Sequence, residues 1–402
     1  MRRRQYTVSC KDVCRWTVQN LVQALGWTVQ VASVGPELLI QLLVRAAAEM
    51  RSLSAIVQDA QAAPSMETVR QALGKYLPGQ PNDLLPAITQ ALHHRLPKSL
   101  RRRPRTMAID WHLRPYYGSP RTAGVYCGQP KASTKFFFAY ASLLVIRQGQ
   151  TFTVGLTSVL SGEKQTAVIA RLLEQAQQAG LQVRRLLLDR AFYGAATIQW
   201  LQQQGLAFVM PMLQRGQAGR TKATSTGTQK FFRRRRRGWD RYTWSTPRRR
   251  TGRRQGEPMT ITVDVCMAPR PKGRGKKKGP LVYACHLTRG APDEIRRLYR
   301  KRFRIETSYR QLGQGLAVTC SVNQVYRLLL VMIALVLRNL WVWLHWQVLA
   351  ERTAQGRKPR LELLTLRKLT YGLARRLDEL LAIGPRALTP CWQLTNDVAG
   401  IW

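Results

Sequence analysis

Two apolar runs near the middle of the chain each stop at an aspartate. Residues 106–110 (TMAID) lead into the turn-rich WHLRPYYG, and residues 186–189 (LLLD) lead into RAFYG. Short apolar runs bounded by turn residues read as buried strands. Asp110 and Asp189 then stand at strand ends, at the mouth of a sheet where open α/β folds hold their ligands. Taken singly, each aspartate reads equally as a strand-end cap or a turn residue. Between them, residues 135–146 (KFFFAYASLLVI) and 150–160 (QTFTVGLTSVL) are apolar and β-rich and predict an antiparallel hairpin through Arg147, Gln148 and Gly149. Residues 163–178 carry apolar positions at Val168, Ile169, Leu172, Leu173 and Ala176 and predict a helix closed by Gly180 at its C-cap. A helix over 195–204 and a strand over 207–212 follow.

The flanks have a different rhythm. Residues 11–25 and 36–50 predict helices. Residues 54–59 and 66–76, separated by QAAPS, predict a helix, a tight turn and a second helix. That order is compatible with a helix-turn-helix whose second helix enters a major groove, with Arg70 and Lys75 available for phosphates; a small helical bundle has the same turn. Toward the other end, residues 328–337 are ten consecutive apolar positions between Arg327 and Arg338. The run is too short to cross a bilayer. With the Trp-rich stretch 339–346 it predicts a buried helix or a dimer surface.

Residues 298–311 (LYRKRFRIETSYRQ) predict one amphipathic helix that carries a lone carboxylate through a field of cations. Only 21 of the 402 residues are acidic, so a glutamate kept at position 306 invites a chemical reading. On a helix, Arg302 and Glu306 are i, i+4 neighbours, which is also the spacing of an ordinary surface ion pair. If Asp110, Asp189 and Glu306 converge from three elements, the set suits divalent metal chemistry. Two ions roughly 4 Å apart activate an attacking hydroxyl and stabilise the leaving oxygen of a phosphodiester, and magnesium accepts a few carboxylates while keeping its waters.

The formal charge of +44 and pI near 11.4 imply a polyanionic partner, since Lys and Arg that neutralise phosphates release condensed counterions. The excess is clustered: 101–103, the five arginines 233–237, 248–250, Arg253, Arg254 and the lysine-rich 272–278. Most of these clusters fall within 213–279, where Gly, Ser, Thr and Pro punctuate short strands such as 259–265 (MTITVDV). Phe231, Phe232, Trp239, Tyr242 and Trp244 interleave with these cations, able either to stack on a base or to fill a small β core.

The order Asp110, Asp189, Glu306, the sequence DRAFYG after the second carboxylate, and Tyr299-x2-Arg302-x3-Glu306 together resemble the DDE transposases of bacterial and archaeal insertion sequences. Within that group the chain is most similar to the family-four-like branch, which has a Tyr-x2-Arg-x3-Glu signature and a β-rich insertion before the glutamate. The resemblance runs from about position 105 to about position 314. It implies an α/β, ribonuclease H-like mixed sheet flanked by helices, in which the first and fourth strands are neighbours. Asp110, Asp189 and Glu306 would be the catalytic and metal-binding triad, holding two Mg2+ ions, with Mn2+ as a substitute. Tyr299 and Arg302 would hold the phosphate and terminal nucleotides of the element end. Arg190, Arg233, Arg234, Arg235, Trp239 and Trp244 are further candidates for DNA contact. The signature often closes with a lysine seven residues after the glutamate; here that position is Gly313, and Arg310, one turn beyond Glu306 on the same face, is the candidate to supply that charge to the DNA.

The expected organisation is a helical DNA-binding domain (1–100), the first part of the catalytic domain (101–212), a basic β-rich insertion (213–290), the remainder of the catalytic domain (291–350) and a C-terminal helical region (351–402). The implied activity is binding of terminal inverted repeats, metal-dependent nicking and joining of 3′-OH ends to target DNA by a homodimer on paired ends. A ribonuclease H-like nuclease without strand transfer and a decayed DNA-binding protein are the alternatives. Seven scattered cysteines show no zinc-site spacing, and no signal peptide is evident. The expectation is a prokaryotic, cytoplasmic, nucleoid-associated protein with no membrane partner.

Overall fold

In the computed structural model, strand β1 (Arg105–Pro115) occupies the middle of the sheet, pairing antiparallel with β3 (Thr134–Arg147) on one side and parallel with β5 (Val183–Leu187) on the other. The structure describes residues 8–28, 30–31, 33–61, 63–147, 150–217, 225–233, 237–246, 259–270, 279–303, 310–353, 356–360 and 362–383. The far edge of β3 is shared by β2 (Tyr126–Lys131) and β4 (Gln150–Val159), both antiparallel to it. Beyond β5 come β6 (Phe208–Pro211), parallel, and then β9 (Leu281–His286), β8 (Thr260–Ala268) and β7 (Gly238–Ser245), all antiparallel. The result is a nine-stranded mixed sheet in the order β2-β3-β1-β5-β6-β9-β8-β7, with β4 also on β3.

The expected hairpin, the crossover helix α6 (Gln165–Gln178), helix α7 (Ala195–Gln203) and the neighbourhood of β1 with the strand before Asp189 are all present. After α6, Gly180 takes a positive φ of 70°, and the Leu181 N–H reaches back to the Ala176 carbonyl to stop the helix. Two strands give little sequence signal. In β2, YCGQPK is mostly exposed and has no alternation of apolar positions. β9 attaches the basic segment to the main sheet, so β7 and β8 extend that sheet instead of forming a separate one.

The two faces of the sheet are covered differently. Met107, Ile109, Ala139, Ala141, Leu186 and Leu188 point toward α6 and α7. On the opposite face Ala108, Leu144, Leu187, Val209, Tyr283 and Cys285 meet α9 (Pro292–Arg300) through Ile295 and Tyr299. A third core joins helices from both ends of the chain: α1 (Cys10–Leu25), α2 (Pro36–Glu49), α3 (Leu53–Asp59), α4 (Met66–Tyr76) and α5 (Leu85–His93) with α10 (Gln324–Gln347) and α11 (Leu366–Leu380).

The ten-residue apolar run lies inside α10, which has 24 residues and is by length and composition sufficient to cross a membrane; 94% of its apolar window is buried within the protein. Even its polar residues are used. Asn339 accepts from the Thr153 N–H at 3.0 Å and donates to the Thr153 carbonyl at 2.7 Å, splicing α10 to β4. Buried Arg338 donates to the Thr151 carbonyl at 2.9 Å.

Candidate active site

The period of a strand explains how two aspartates come to face one another. Residues two apart share a face, so Asp110 lies on the face of Ala108, and Asp189 lies on that of Leu187. Both are on the α9 side. Asp110 sits past the last β1–β5 pair, Ala108 with Leu187, while β1 continues along β3 to Pro115. The expected strand end is therefore only the end of the parallel pairing. Asp189 leaves the sheet directly after β5 as the N-cap of a short 3-10 turn (Arg190–Phe192), its carboxylate accepting the Arg190 N–H at 2.6 Å. A cap that satisfies a local N–H with one oxygen leaves the other available.

That other oxygen meets Arg302. One guanidinium nitrogen of Arg302 lies 2.9 Å from Asp110 Oδ1 and 3.3 Å from Asp189 Oδ2, so a single cation bridges the two carboxylates. Arg302 is 5% exposed. The backbone delivers it there through a change of helix type. α9 ends at Arg300 and a 3-10 turn covers Lys301–Phe303, so the single continuous helix expected through this region is interrupted before Arg302. The tighter turn alters the side-chain direction that an unbroken α-helix would give. Glu306 lies outside the described residues, as do Arg234 and Arg235.

Burial dominates the electrostatics of Asp110. Loss of solvent raises its pKa to about 6, against the opposing pull of Arg302 and the Trp111 N–H, which donates to it at 2.9 Å; the Asp189 charge adds to the rise. His112, two residues along the same face, is pushed down to about 3 by burial and by Arg114 and Lys131, and is neutral at ordinary pH.

Tyr299 is 5% exposed, tilted against Tyr283, and its hydroxyl donates to the Leu188 carbonyl at 3.2 Å, next to Asp189. It thus braces the strand end that presents the second carboxylate. Arg190 and Arg310 are exposed. Arg233 is exposed as well, in the turn that ends α8 (Gln229–Phe232). Trp239 donates its indole N–H to the Gly290 carbonyl at 2.8 Å and packs in the α9-side core. Trp244 stacks on Tyr242 with ring centres 5.2 Å apart and lies 6.0 Å from Tyr193. The structure thus brings together Asp110, Asp189, Arg302 and Tyr299. The family resemblance implies DNA contact for Arg302; its placement between two carboxylates carries no local signal, because the partners are 192 and 113 positions away.

The donor chemistry suits a divalent cation. Asp110 and Asp189 offer hard carboxylate oxygens from adjacent strands, and the guanidinium already marks the spot where positive charge is favourable. Among the described residues, no group of three or more His, Cys, Asp or Glu side chains is gathered.

No protein with a curated description matches the sequence. Among solved structures, the chain is similar to the piggyBac transposase in a cryo-EM synaptic complex with hairpin DNA, at 12% identity and a TM-score of 0.48, over 99% of this chain and 78% of that one. Residues 101–339 match the family described as Transposase DDE domain, a span that includes both aspartates, Arg302 and position 306 and exceeds half of the sequence: the chain belongs to the DDE transposase family.

Proposed function

We propose that this protein is the transposase of an insertion sequence, of the branch with the Tyr-x2-Arg-x3-Glu signature, and that its mixed sheet is a ribonuclease H-like catalytic domain. The observation that carries the reading is the meeting of Asp110 and Asp189, from adjacent parallel strands, at one buried guanidinium. Two carboxylates this close repel unless a cation lies between them. A site built so, in a chain of net charge +44, is suited to a metal ion and a phosphodiester together.

Asp110, Asp189 and Glu306 would hold Mg2+, with Mn2+ as a substitute. When bound, a pair of such ions activates the attacking hydroxyl and stabilises the leaving oxygen. The protein's part is to fix the carboxylates. Asp110 is locked by the β1 ladder and the Trp111 N–H, and Asp189 by its cap on Arg190 and by Tyr299 gripping the preceding carbonyl. Arg302 holds the two acids in register and stands beside any phosphate that approaches them. The substrate is DNA: the enzyme binds terminal inverted repeats, nicks them by hydrolysis and joins the freed 3′-OH to target DNA, as a homodimer on paired ends, in a prokaryotic cytoplasm at the nucleoid. Helix α4, with exposed Arg70 and Lys75, is the proposed groove-reading element; Arg70 is paired with Glu67 at 2.8 Å in the free protein.

Strand joining is the discriminating test. Precut duplexes ending in the element's inverted repeat, incubated with supercoiled plasmid and Mg2+, should yield plasmid carrying one or two covalently attached ends. Cutting without joined products would identify a nuclease instead.

A further inference from the structure

Beyond Asp110, β1 continues for five residues, and its far end forms one wall of a second, unassigned cavity of about 570 Å³. Its position follows from the strand register. Asp110 faces Ser142, His112 faces Tyr140 and Arg114 faces Phe138 across the β1–β3 ladder, so all six lie on one face of the sheet. Arg114 is thus four residues, roughly 13 Å, beyond the first carboxylate on the same surface. The opposite wall is the segment 316–320 and the first turns of α10.

The lining has a definite chemistry. It holds two arginines, Arg114 and Arg327, three tyrosines, Tyr116, Tyr117 and Tyr140, and no carboxylate. Arg327 is committed: it lies 4.3 Å over the Phe138 ring and donates to the carbonyls of Ser321 and Thr319. Arg114, by contrast, makes no hydrogen bond or ion pair among the described residues. The same holds for the hydroxyl of Tyr140, a residue only 4% exposed at the cavity wall, and burial keeps that phenol protonated and able to donate. A hydroxyl on a cavity wall that no protein group engages is open to a ligand as donor or acceptor. Tyr117 is 71% exposed at the rim, and Leu316, Ala317, Val318 and Leu330 supply an apolar surface. Another large cavity, about 690 Å³ between α2 and α11, differs in kind: Glu49, Asp59 and Asp378 line it and pair with Arg45 and Arg51.

We propose that the cavity beside Arg114 is a nucleotide-binding subsite for unpaired DNA adjoining the strand held at Asp110 and Asp189. It rests on the reading of this chain as a DNA-cutting enzyme. An unpaired base stacks on the tyrosine and apolar walls, the Tyr140 hydroxyl pairs with its edge, and Arg114 takes the neighbouring phosphate. The volume lies within the range of small-molecule sites, and a span of roughly 13 Å is about four stacked base steps of one strand.

The test compares the full-length protein on two fluorescent duplexes, one blunt and one ending in a short unpaired thymidine tail, with Ca2+ replacing Mg2+ so that binding is read without cutting. Native protein should prefer the tailed duplex by roughly tenfold, the scale of one stacked base. Arg114→Ala and the conservative Tyr140→Phe should each reduce that ratio. The ratio is the readout because loss of a phosphate contact to the paired region lowers affinity for both duplexes alike, whereas the phosphate assigned to Arg114 belongs to the tail and is present in one duplex alone. Iodouracil placed in the tail should crosslink within residues 114–140 or 316–331. Equal binding of both duplexes, a ratio that neither substitution changes, or crosslinks confined elsewhere would overturn the proposal. Magnesium-dependent nicking by native protein is scored in parallel. Nicking without tail preference removes the subsite and leaves the transposase reading; tail preference lost in Arg114→Ala, without nicking, does the reverse.

Discussion

Arg302 is the residue on which the site's stability and its chemistry meet. A guanidinium buried between two carboxylates offsets a desolvation cost of several kcal/mol per ion, and its removal leaves charge buried without compensation. Arg302→Ala is expected to destabilise the metal-free protein by about 3 kcal/mol near pH 8, measured by urea unfolding. The loss should be smaller at pH 5, because a proton on Asp110 then does part of what the guanidinium did. The sign follows from linkage. The folded pKa of Asp110, about 6, lies above its ordinary value of 3.8, so the native state binds the proton more tightly than the unfolded chain. This group's contribution to stability therefore declines as pH rises from about 4 through 6. Asp110→Asn should flatten that part of the stability profile. Metal binding has the opposite slope, since the carboxylate must lose its proton first. Mg2+ affinity should fall as pH drops through about 6, and a titration with no change between pH 7 and 5 would contradict the assignment of Asp110 as a ligand.

At the scale of elements, the apolar pattern was a good guide wherever burial set the pattern. Two-residue spacing puts Asp110 on the face of Ala108 and Asp189 on that of Leu187, but that the two faces coincide follows from the pairing of Ala108 with Leu187, which no local pattern carries. The buried hairpin, α6 and α10 were legible because burial set their pattern. The β2 strand was not, because an exposed edge strand has no core to impose alternation. Nor was the break between α9 and the 3-10 turn, where long-range attraction of Arg302 to Asp110 and Asp189 competes with helical continuity. Legibility also fails for Asn339, which sits in an apolar helix and looks like an intruder. It ties α10 to β4 through both main-chain groups of Thr153. Asn339→Ala should cost about 2–4 kcal/mol, since two buried backbone groups lose their partners. Unfolding midpoints would show this, and a loss below about 0.5 kcal/mol, the level of an ordinary surface change, would mean that the splice is not needed.

For the whole molecule, charge decides the behaviour in solution. An excess of +44 over 402 residues sets a strong attraction to any phosphate backbone. If six or more phosphates are neutralised, affinity for duplex DNA should fall by about 10³-fold or more between 50 and 200 mM salt, a slope that fluorescence anisotropy measures directly. A flat salt response would remove nucleic acid as the partner. Strands β7 and β8, which lie between the cation-rich stretches of the sequence, continue the sheet that carries Asp110 and Asp189. The most direct test of the account is Mg2+-dependent nicking of duplex DNA ending in the element's inverted repeat by native protein, Asp110→Asn, Asp189→Asn and Glu306→Gln. The account predicts nicking by the native chain alone, with DNA binding retained by all four proteins. Native protein that binds the duplex but does not cut it, or variants that cut at the native rate, would contradict it.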